Sequence, residues 1–172
     1  MRLSRVASVF ILLSSGLVAS SQPKGLRTTE KDNCLAHIHD QVPKYEEVKS
    51  VKIKSTHLMI LFVSISPSDN THDGLIALGC ELGRHHTNWD GLAARIYTSR
   101  IAAEGSRISD YGDISGKNVP TEVLVARPAT YIVFRSGDVV GQSLTYNDDP
   151  TSPYATVQVD LGPPPDIAKK KK

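Results

Sequence analysis

The sequence lacks the features that identify several classes of protein. Its 172 residues include two cysteines and one tryptophan, and 20 basic residues nearly balance 18 acidic ones. So few cysteines exclude a small disulfide-dense scaffold, while an apolar content of 40% without charge imbalance excludes an intrinsically disordered chain. There is no internal repeat, no glycine-rich phosphate loop and no Gly-x-Ser-x-Gly motif. These absences leave a globular chain of about one domain.

The first 21 residues have the pattern of a secretory signal peptide. Arg2 and Arg5 give a positive start, and a short apolar core and small residues suited to cleavage follow. The apolar stretch is interrupted at residues 14–16 and is shorter than the roughly 20 residues that span a bilayer. We therefore expect a secreted protein and no membrane span.

The last ten residues, 163–172, form a proline-rich spacer that ends in four lysines. When these four lysines and the two arginines of the predicted signal are left out, the rest of the chain has 14 basic and 18 acidic residues and is therefore net acidic. Because nucleic-acid binding requires a basic face, we predict no general nucleic-acid binding. The tail is a solubilising appendage or, after uptake into a host cell, a weak nuclear-import signal or a contact to anionic groups. The tail lysines are Lys169, Lys170, Lys171 and Lys172.

Only one intramolecular pairing of cysteines is possible, between Cys34 and Cys80. In an oxidising compartment, closing this loop would stabilise the fold by about 4 kcal/mol. A structural disulfide is therefore favoured over the alternative, a catalytic thiol with His85 or His86 as base. Cys80 lies in the apolar segment 75–82, which we predict to be a buried strand.

The hydrophobic pattern predicts a mainly β or α+β domain over residues 34–162. Alternating and short continuous apolar runs predict about seven strands in antiparallel order, which we interpret as a β-sandwich or barrel. Residues 88–104 break this period and predict one helix, with an apolar stripe at Leu92, Ile96 and Ile101. The strands are predicted over 48–54, 57–65, 75–82, 122–126, 130–134, 139–146 and 156–161, with a hairpin turn at 136–137 and a flexible leader over 22–33.

At the level of protein class, the chain resembles the small secreted effectors of filamentous plant pathogens, with a signal peptide, a polar leader and a β-rich domain. Cys34, Cys80 and the strands predicted between them resemble the fungal MAX effectors, in which two cysteines bridge an early and a later strand. The region after residue 84 has no counterpart in that family, and no functional residue carries over. The resemblance favours a virulence protein that binds a host protein.

Histidine is the residue type arranged most suggestively for chemistry. On a strand, His37 and His39 would project from one face, where two imidazoles can share a metal ion. No recognised ligand set is completed nearby, so we predict no metal and no other cofactor. As the alternative function, His37 and His39 with His85 and His86 would provide the acid–base groups of a small secreted hydrolase or ribonuclease.

Surface recognition is the favoured function. Trp89 lies in a polar loop, where it is either a partner hot spot or a staple folded onto the start of the predicted helix. The strand that carries Lys49, Lys52 and Lys54 can add a partner strand to the sheet, although lysines on an edge also prevent aggregation. We expect a monomeric, non-enzymatic secreted protein that binds a host or extracellular protein.

Overall fold

A computed structural model describes residues 27–37, 40–107, 126–135, 141–147 and 156–164 of the chain. These residues form seven strands and two helices. The strands are β1 (Arg27–Lys31), β2 (Tyr45–Ile53), β3 (Leu58–Ile65), β4 (Gly91–Tyr97), β5 (Ala129–Phe134), β6 (Gly141–Asn147) and β7 (Thr156–Asp160). The helices are α1 (His72–His85) and α2 (Arg100–Gly105), and short 3₁₀ turns at Lys54–Thr56 and Pro67–Asp69 flank β3.

All seven described strands belong to one mixed sheet, in the order β1-β7-β6-β5-β4-β3-β2. Two neighbouring pairs, β1 with β7 and β3 with β4, are parallel, and the other four pairs are antiparallel. The predicted β-rich class is confirmed, and five of the seven described strands coincide with predicted ones. The antiparallel order is wrong, because α1 carries the chain back so that β4 runs with β3. Among the described strands, β1 and β2 lie at the two edges of the sheet and do not pair with each other, so these strands do not close into a barrel.

Most of the predicted strands are present, with their ends shifted by at most three residues. In β7, the buried residues Val157 and Val159 alternate with the half-buried residues Thr156 and Gln158, the pattern of a strand with one face in the core. β5 and β6 are antiparallel neighbours, as the hairpin prediction requires. The turn at 136–137 and the predicted strand at 122–126, apart from Ala126, lie outside the described residues. The predicted strands 48–54, 57–65, 130–134, 139–146 and 156–161 are confirmed as β2, β3, β5, β6 and β7.

α1 occupies the segment for which the sequence predicts a buried strand over 75–82. The side chain of Thr71 caps the helix by accepting a hydrogen bond from the Gly74 N–H. Buried residues then recur at helical spacing, and Leu78 and Leu82 are fully buried. The strand prediction is wrong here because a short continuous apolar run fits a buried helix face as well as a buried strand.

The helix predicted over 88–104 is replaced by β4 and the shorter α2. Leu92 and Ile96 lie in the core beneath α1, whereas Tyr97 packs on the opposite face of the sheet. Ile101, the last residue of the predicted apolar stripe, is 81% exposed on α2. The prediction is wrong because β4 is a central strand buried on both faces, so its pattern is nearly continuous, and its alanines favour helix locally.

The sheet has packed side chains on both faces. On the face covered by α1, the ring of Tyr131 from β5 lies directly against Gly79 and Gly83 of the helix. On the opposite face, α2 packs over a smaller core that includes Phe62 and Tyr97. We refer to these two surfaces of the sheet as the α1 face and the α2 face.

The predicted disulfide between Cys34 and Cys80 is confirmed, with the two Cα atoms 5.5 Å apart. Cys34 lies in the turn after β1 and Cys80 lies on α1, so the disulfide joins one edge of the sheet to the helix. Both cysteines are buried. Cys80 therefore lies on a helix and not on the strand that the sequence predicts.

β1 lies within residues 22–33, for which the sequence predicts a flexible leader. Residues 27–31 pair with β7, although their polar sequence contains no strand pattern. The predicted signal at 1–21 and the lysines of the tail lie outside the described residues. In the part of the chain that is described, neither helix is long and apolar enough to cross a membrane.

Candidate functional site at the edge of the sheet

β2 is the longer of the two edge strands. It has nine residues against five in β1, and among the described strands it pairs only with β3. No other described strand pairs with the outer main-chain N–H and C=O groups of β2, and an edge of this kind can accept an additional strand. The strand that the sequence predicts as a partner-binding edge therefore does lie at an edge of the sheet.

A β-bulge at Val48 determines which side chains of β2 point to each face. The register with β3 shifts between Glu47 and Lys49, which adds one residue to β2. Glu47 and Lys52 lie opposite residues of β3 that are buried beneath α1, so both point to the α1 face. Lys49 lies opposite Phe62 and points to the α2 face.

The end of α1 lies beside β2 on the α1 face. His86 Nε2 is 3.0 Å from Glu47 Oε1, and His85 Nε2 is 2.9 Å from Glu81 Oε1. Tyr45 OH is 3.5 Å from His85 Nδ1, and burial, together with the Glu47 and Glu81 carboxylates, raises the pKa of Tyr45. The β2–α1 corner is the surface formed by Tyr45, Glu47, Lys52, His57, Glu81, His85, His86, Trp89 and Asp90.

Trp89 is half-buried in this corner, packed against the core beneath α1. Its ring centroid is 5.0 Å from that of His57, and Lys52 Nζ is 5.9 Å from the Trp89 ring centroid. His57 Nδ1 in turn is 3.1 Å from Asp90 Oδ2. The alternative prediction of a staple at a helix start is wrong, because Trp89 follows the end of α1 and precedes a strand.

The three lysines predicted as a partner-binding group lie in different places. Lys52 lies in the corner, and Lys54 is exposed in the turn after β2. Lys49 Nζ donates hydrogen bonds to the carbonyl of Glu104, at 2.6 Å, and to that of Ser106. Lys49 therefore holds the end of α2 on the edge strand, where its positive charge lies near the helix carbonyls.

Arg135 supports the corner from the end of β5, and no pattern in the sequence identifies it. Its guanidinium donates to the carbonyls of His86, at 3.4 Å, and Trp89, at 3.3 Å, and also to that of Gly83. These carbonyls lie at and just beyond the end of α1, where the helix dipole favours a cation. Arg135 thus fixes the position of Trp89 relative to the helix.

No family model, curated protein or solved structure matches this chain. The corner brings together an aromatic ring, a cation and several carboxylate–imidazole pairs beside an open strand edge. Within the described ranges, no three His, Cys, Asp or Glu side chains are arranged to hold a metal ion. This combination suits recognition of a polypeptide by main-chain pairing and side-chain contact.

The histidines of the catalytic alternative lie in different parts of the fold. His37 lies in the turn after β1, His85 and His86 lie at the end of α1, and His39 is outside the described residues. The contacts described for His85 and His86 are to Glu81, Tyr45 and Glu47, and none of them involves His37. The contacts with Tyr45 and Glu47 hold the end of α1 to the edge strand, the contact with Glu81 lies within α1, and none of the three joins two of these histidines.

His37 is held between two carboxylates close to the disulfide. Its Nε2 is 2.7 Å from Asp32 Oδ2, and its Nδ1 is 2.5 Å from Asp40 Oδ2. Both ring nitrogens donate only when the imidazole is protonated, so in this arrangement His37 has no lone pair for a metal or for proton abstraction. The cluster therefore stabilises the turn that carries Cys34.

We expect the turn after β1 to be most stable in mildly acidic solution. Burial lowers the pKa of His37, but the hydrogen bonds to Asp32 and Asp40 outweigh it and raise the pKa above 6.5. Burial raises the pKa of Asp32, but the hydrogen bonds from His37 and Asn33 lower it below 3.8. The stabilisation by His37 is complete below pH 6.5 and is lost as the pH rises through the folded-state pKa of His37. The stabilisation by Asp32 is lost as the pH falls through the folded-state pKa of Asp32.

An NMR titration of the His37 ring protons checks this prediction. We expect a midpoint above that of an unstructured histidine peptide, and a lower midpoint in the Asp32→Asn and Asp40→Asn variants. The variants are the matched controls, because each removes one carboxylate and keeps the shape of the side chain. An unshifted midpoint in the unmodified protein would contradict the double contact.

Proposed function

We propose that this chain is a secreted, non-enzymatic interaction protein that binds an extended segment of a host or extracellular protein along β2. The main support is the nine-residue edge of β2, which pairs with no described strand on its outer side and lies beside the β2–α1 corner. In strand addition, main-chain hydrogen bonds provide affinity and alternate side chains provide specificity. Here the partner side chains on the α1 face would lie next to Glu47, Lys52 and the exposed part of Trp89.

The Cys34–Cys80 disulfide is compatible with an oxidising compartment, as the proposed secretion requires. The signal-peptide pattern, uptake into host cells, the resemblance to the MAX effectors and a role in virulence stay predictions of the sequence. The hydrolase or ribonuclease alternative also stays a prediction. No contact among the described residues favours it, since the histidines described are paired with carboxylates in separate places.

Selection of binders from a peptide-display library tests strand addition directly. We expect selected peptides to be extended and to protect amides of β2 from hydrogen exchange, because the bound strand accepts hydrogen bonds from the outward N–H groups. Amides of β1, the other described edge, serve as the internal control and should not change. Protection of β1 alone, or of loops without β2, would argue against the proposal.

Proline substitution in β2 provides the matching genetic test. Successive residues of a strand direct their N–H groups to opposite sides, so one of Ser50→Pro and Val51→Pro removes an outward donor and leaves the pairing with β3 intact. In that variant the melting temperature should stay near that of the unmodified protein, while binding of a selected peptide weakens about fivefold or more. Unchanged binding by both folded variants would exclude main-chain pairing along β2.

A further inference from the structure

The charges of β2 have the same order on both of its faces. On the α1 face Glu47 precedes Lys52, and on the α2 face Glu46 precedes Lys49. The partners of Glu47 and Lys52 on β3 are four residues apart, because the bulge takes up one residue of β2. The edge therefore has an acidic end and a basic end.

The basic charge on the α1 face is more accessible to a partner than the basic charge on the α2 face. Lys52 is exposed, whereas Lys49 is half-buried and bonded to carbonyls at the end of α2. Both glutamates form ion pairs: Glu46 Oε1 is 3.0 Å from Arg100 Nη1 with its side chain 51% exposed, and Glu47 contacts His86 with its side chain 39% exposed. The α1 face is therefore the face on which both an acidic residue, Glu47, and an exposed basic residue, Lys52, can contact a strand added to β2.

The order of these charges sets which sequence direction fits. A strand that runs antiparallel to β2 passes Lys52 first and reaches Glu47 about four residues later, whereas a parallel strand passes them in the reverse order. Opposite charges directly across a strand pair are stabilising, and like charges are destabilising. Antiparallel pairing is also the slightly more stable arrangement per residue, and β2 already pairs in this way with β3.

We infer that the partner of β2 is an extended segment that binds antiparallel and carries an acidic residue followed, four positions later, by a basic residue on the same face. The acidic residue lies beside Lys52 and the basic residue beside Glu47. This inference rests on the proposed function, since it names the chemistry of the segment that β2 binds. It identifies the partner as a polypeptide with a defined charge order.

A second copy of the chain also has acid before base in its β2, but the bulge disfavours that partner. In a two-fold β2–β2 pair the irregularity at Val48 would occur twice, once on each side of the axis, and would interrupt the shared ladder from both directions. A regular strand from another protein has only the single bulge of β2 to accommodate. Self-association is therefore an alternative that the experiment must detect.

Two peptides of identical composition test the charge order. Each has nine residues of alternating threonine and valine, blocked at both ends; one has Glu at position three and Lys at position seven, and the other has these two exchanged. We expect the Glu-first peptide to bind β2 about tenfold more tightly, measured by chemical-shift changes of β2 amides in the full chain. The preference should shrink in 1 M salt, because exposed charge pairs are screened.

A charge-swapped protein is the matched variant. Combining Glu47→Lys with Lys52→Glu exchanges the two ends of the edge without changing its net charge, and should reverse the preference between the two peptides. An unchanged preference, or tighter binding of the Lys-first peptide to the unmodified protein, overturns the inference. Equal binding of both peptides at β2 overturns the charge order but leaves strand addition intact.

The remaining outcomes distinguish this inference from the proposed function. If neither peptide shifts β2 amides at millimolar concentration, β2 does not accept a strand, and both the inference and the proposed function fail. Light scattering tests for self-association. If the unmodified protein and the charge-swapped variant are both dimers, and Ser50→Pro or Val51→Pro is a monomer, then the edge is occupied by a second copy of the chain. That result replaces the inferred partner with this chain itself.

Discussion

Replacing Cys34 and Cys80 together with alanine is expected to lower the free energy of unfolding by about 4 kcal/mol. The disulfide closes a loop with a sequence separation of 46 residues, and a crosslink of that span restricts the unfolded chain strongly. The loop contains β2, β3 and most of α1, so its loss affects the elements that build the candidate site. Both cysteines are buried, and the bond is therefore structural.

Urea unfolding of the oxidised protein, the reduced protein and the double variant measures this effect. The reduced protein is the control, because it keeps both sulfur atoms and loses only the crosslink. We expect the reduced protein to account for most of the loss, and the alanine variant to add a smaller amount for the volume removed from the core. A change below about 1 kcal/mol on reduction would mean that the unfolded chain is restricted by other means.

Substituting Gly83 with alanine is expected to lower the free energy of unfolding by about 2 kcal/mol. A Cβ atom at this position would lie 2.3 Å from the hydroxyl oxygen of Tyr131, so the helix or the ring must move. Overpacking of this kind costs about 1–3 kcal/mol, partly offset by the higher helix propensity of alanine. The Tyr131 hydroxyl cannot move freely, because it donates a hydrogen bond of 2.8 Å to Oε1 of the buried Gln142.

Combining Gly83→Ala with Tyr131→Phe separates the steric clash from a general loss of stability. Tyr131→Phe alone is destabilising because Gln142 loses a hydrogen-bond donor, but it also removes the atom nearest to the new methyl group. The double variant should therefore be more stable than the sum of the single effects by about 1 kcal/mol. Simple additivity would contradict the close packing of helix and ring.

Two other glycines serve as controls in the same unfolding experiments. At Gly79 an added Cβ would lie 2.7 Å from Cδ2 of the Tyr131 ring, so Tyr131→Phe should not relieve Gly79→Ala. At Gly105, at the end of α2, an added Cβ has open space. Gly105→Ala should leave the free energy of unfolding unchanged or raise it by up to about 1 kcal/mol.

The sequence predicts best those elements whose side chains alternate between core and surface. In β7 the buried Val157 and Val159 alternate with polar residues, and this pattern alone identifies the strand. The prediction fails for α1 and β4, each of which contains a nearly continuous apolar run because that part of it is deeply buried. Thr71, which caps α1, is a residue type typical of a helix start, but the polar residues around it are equally typical of a loop.

For the candidate site, the sequence identifies individual candidate residues but does not predict which of them lie close together. Trp89 and Lys52 are each identifiable as surface candidates, yet they are 37 positions apart and meet only because β2 and the end of α1 lie side by side. Lys49 carries the same charge as Lys52 but points to the other face, since the two residues are three positions apart in a regular part of the strand. Arg135 acquires its role only where β5 ends beside the helix carbonyls.

The sequence by itself determined the β-rich class, the pairing of Cys34 with Cys80 and the acid-to-base order of charges in β2. Each of these depends on composition, local periodicity or the absence of an alternative. The tertiary structure alone decided the mixed strand order, the helix at 72–85 and the position of β2 at the edge of the described sheet. These depend on which distant segments pack together, because long-range pairing and two-sided burial leave no unique pattern in the residues of one segment.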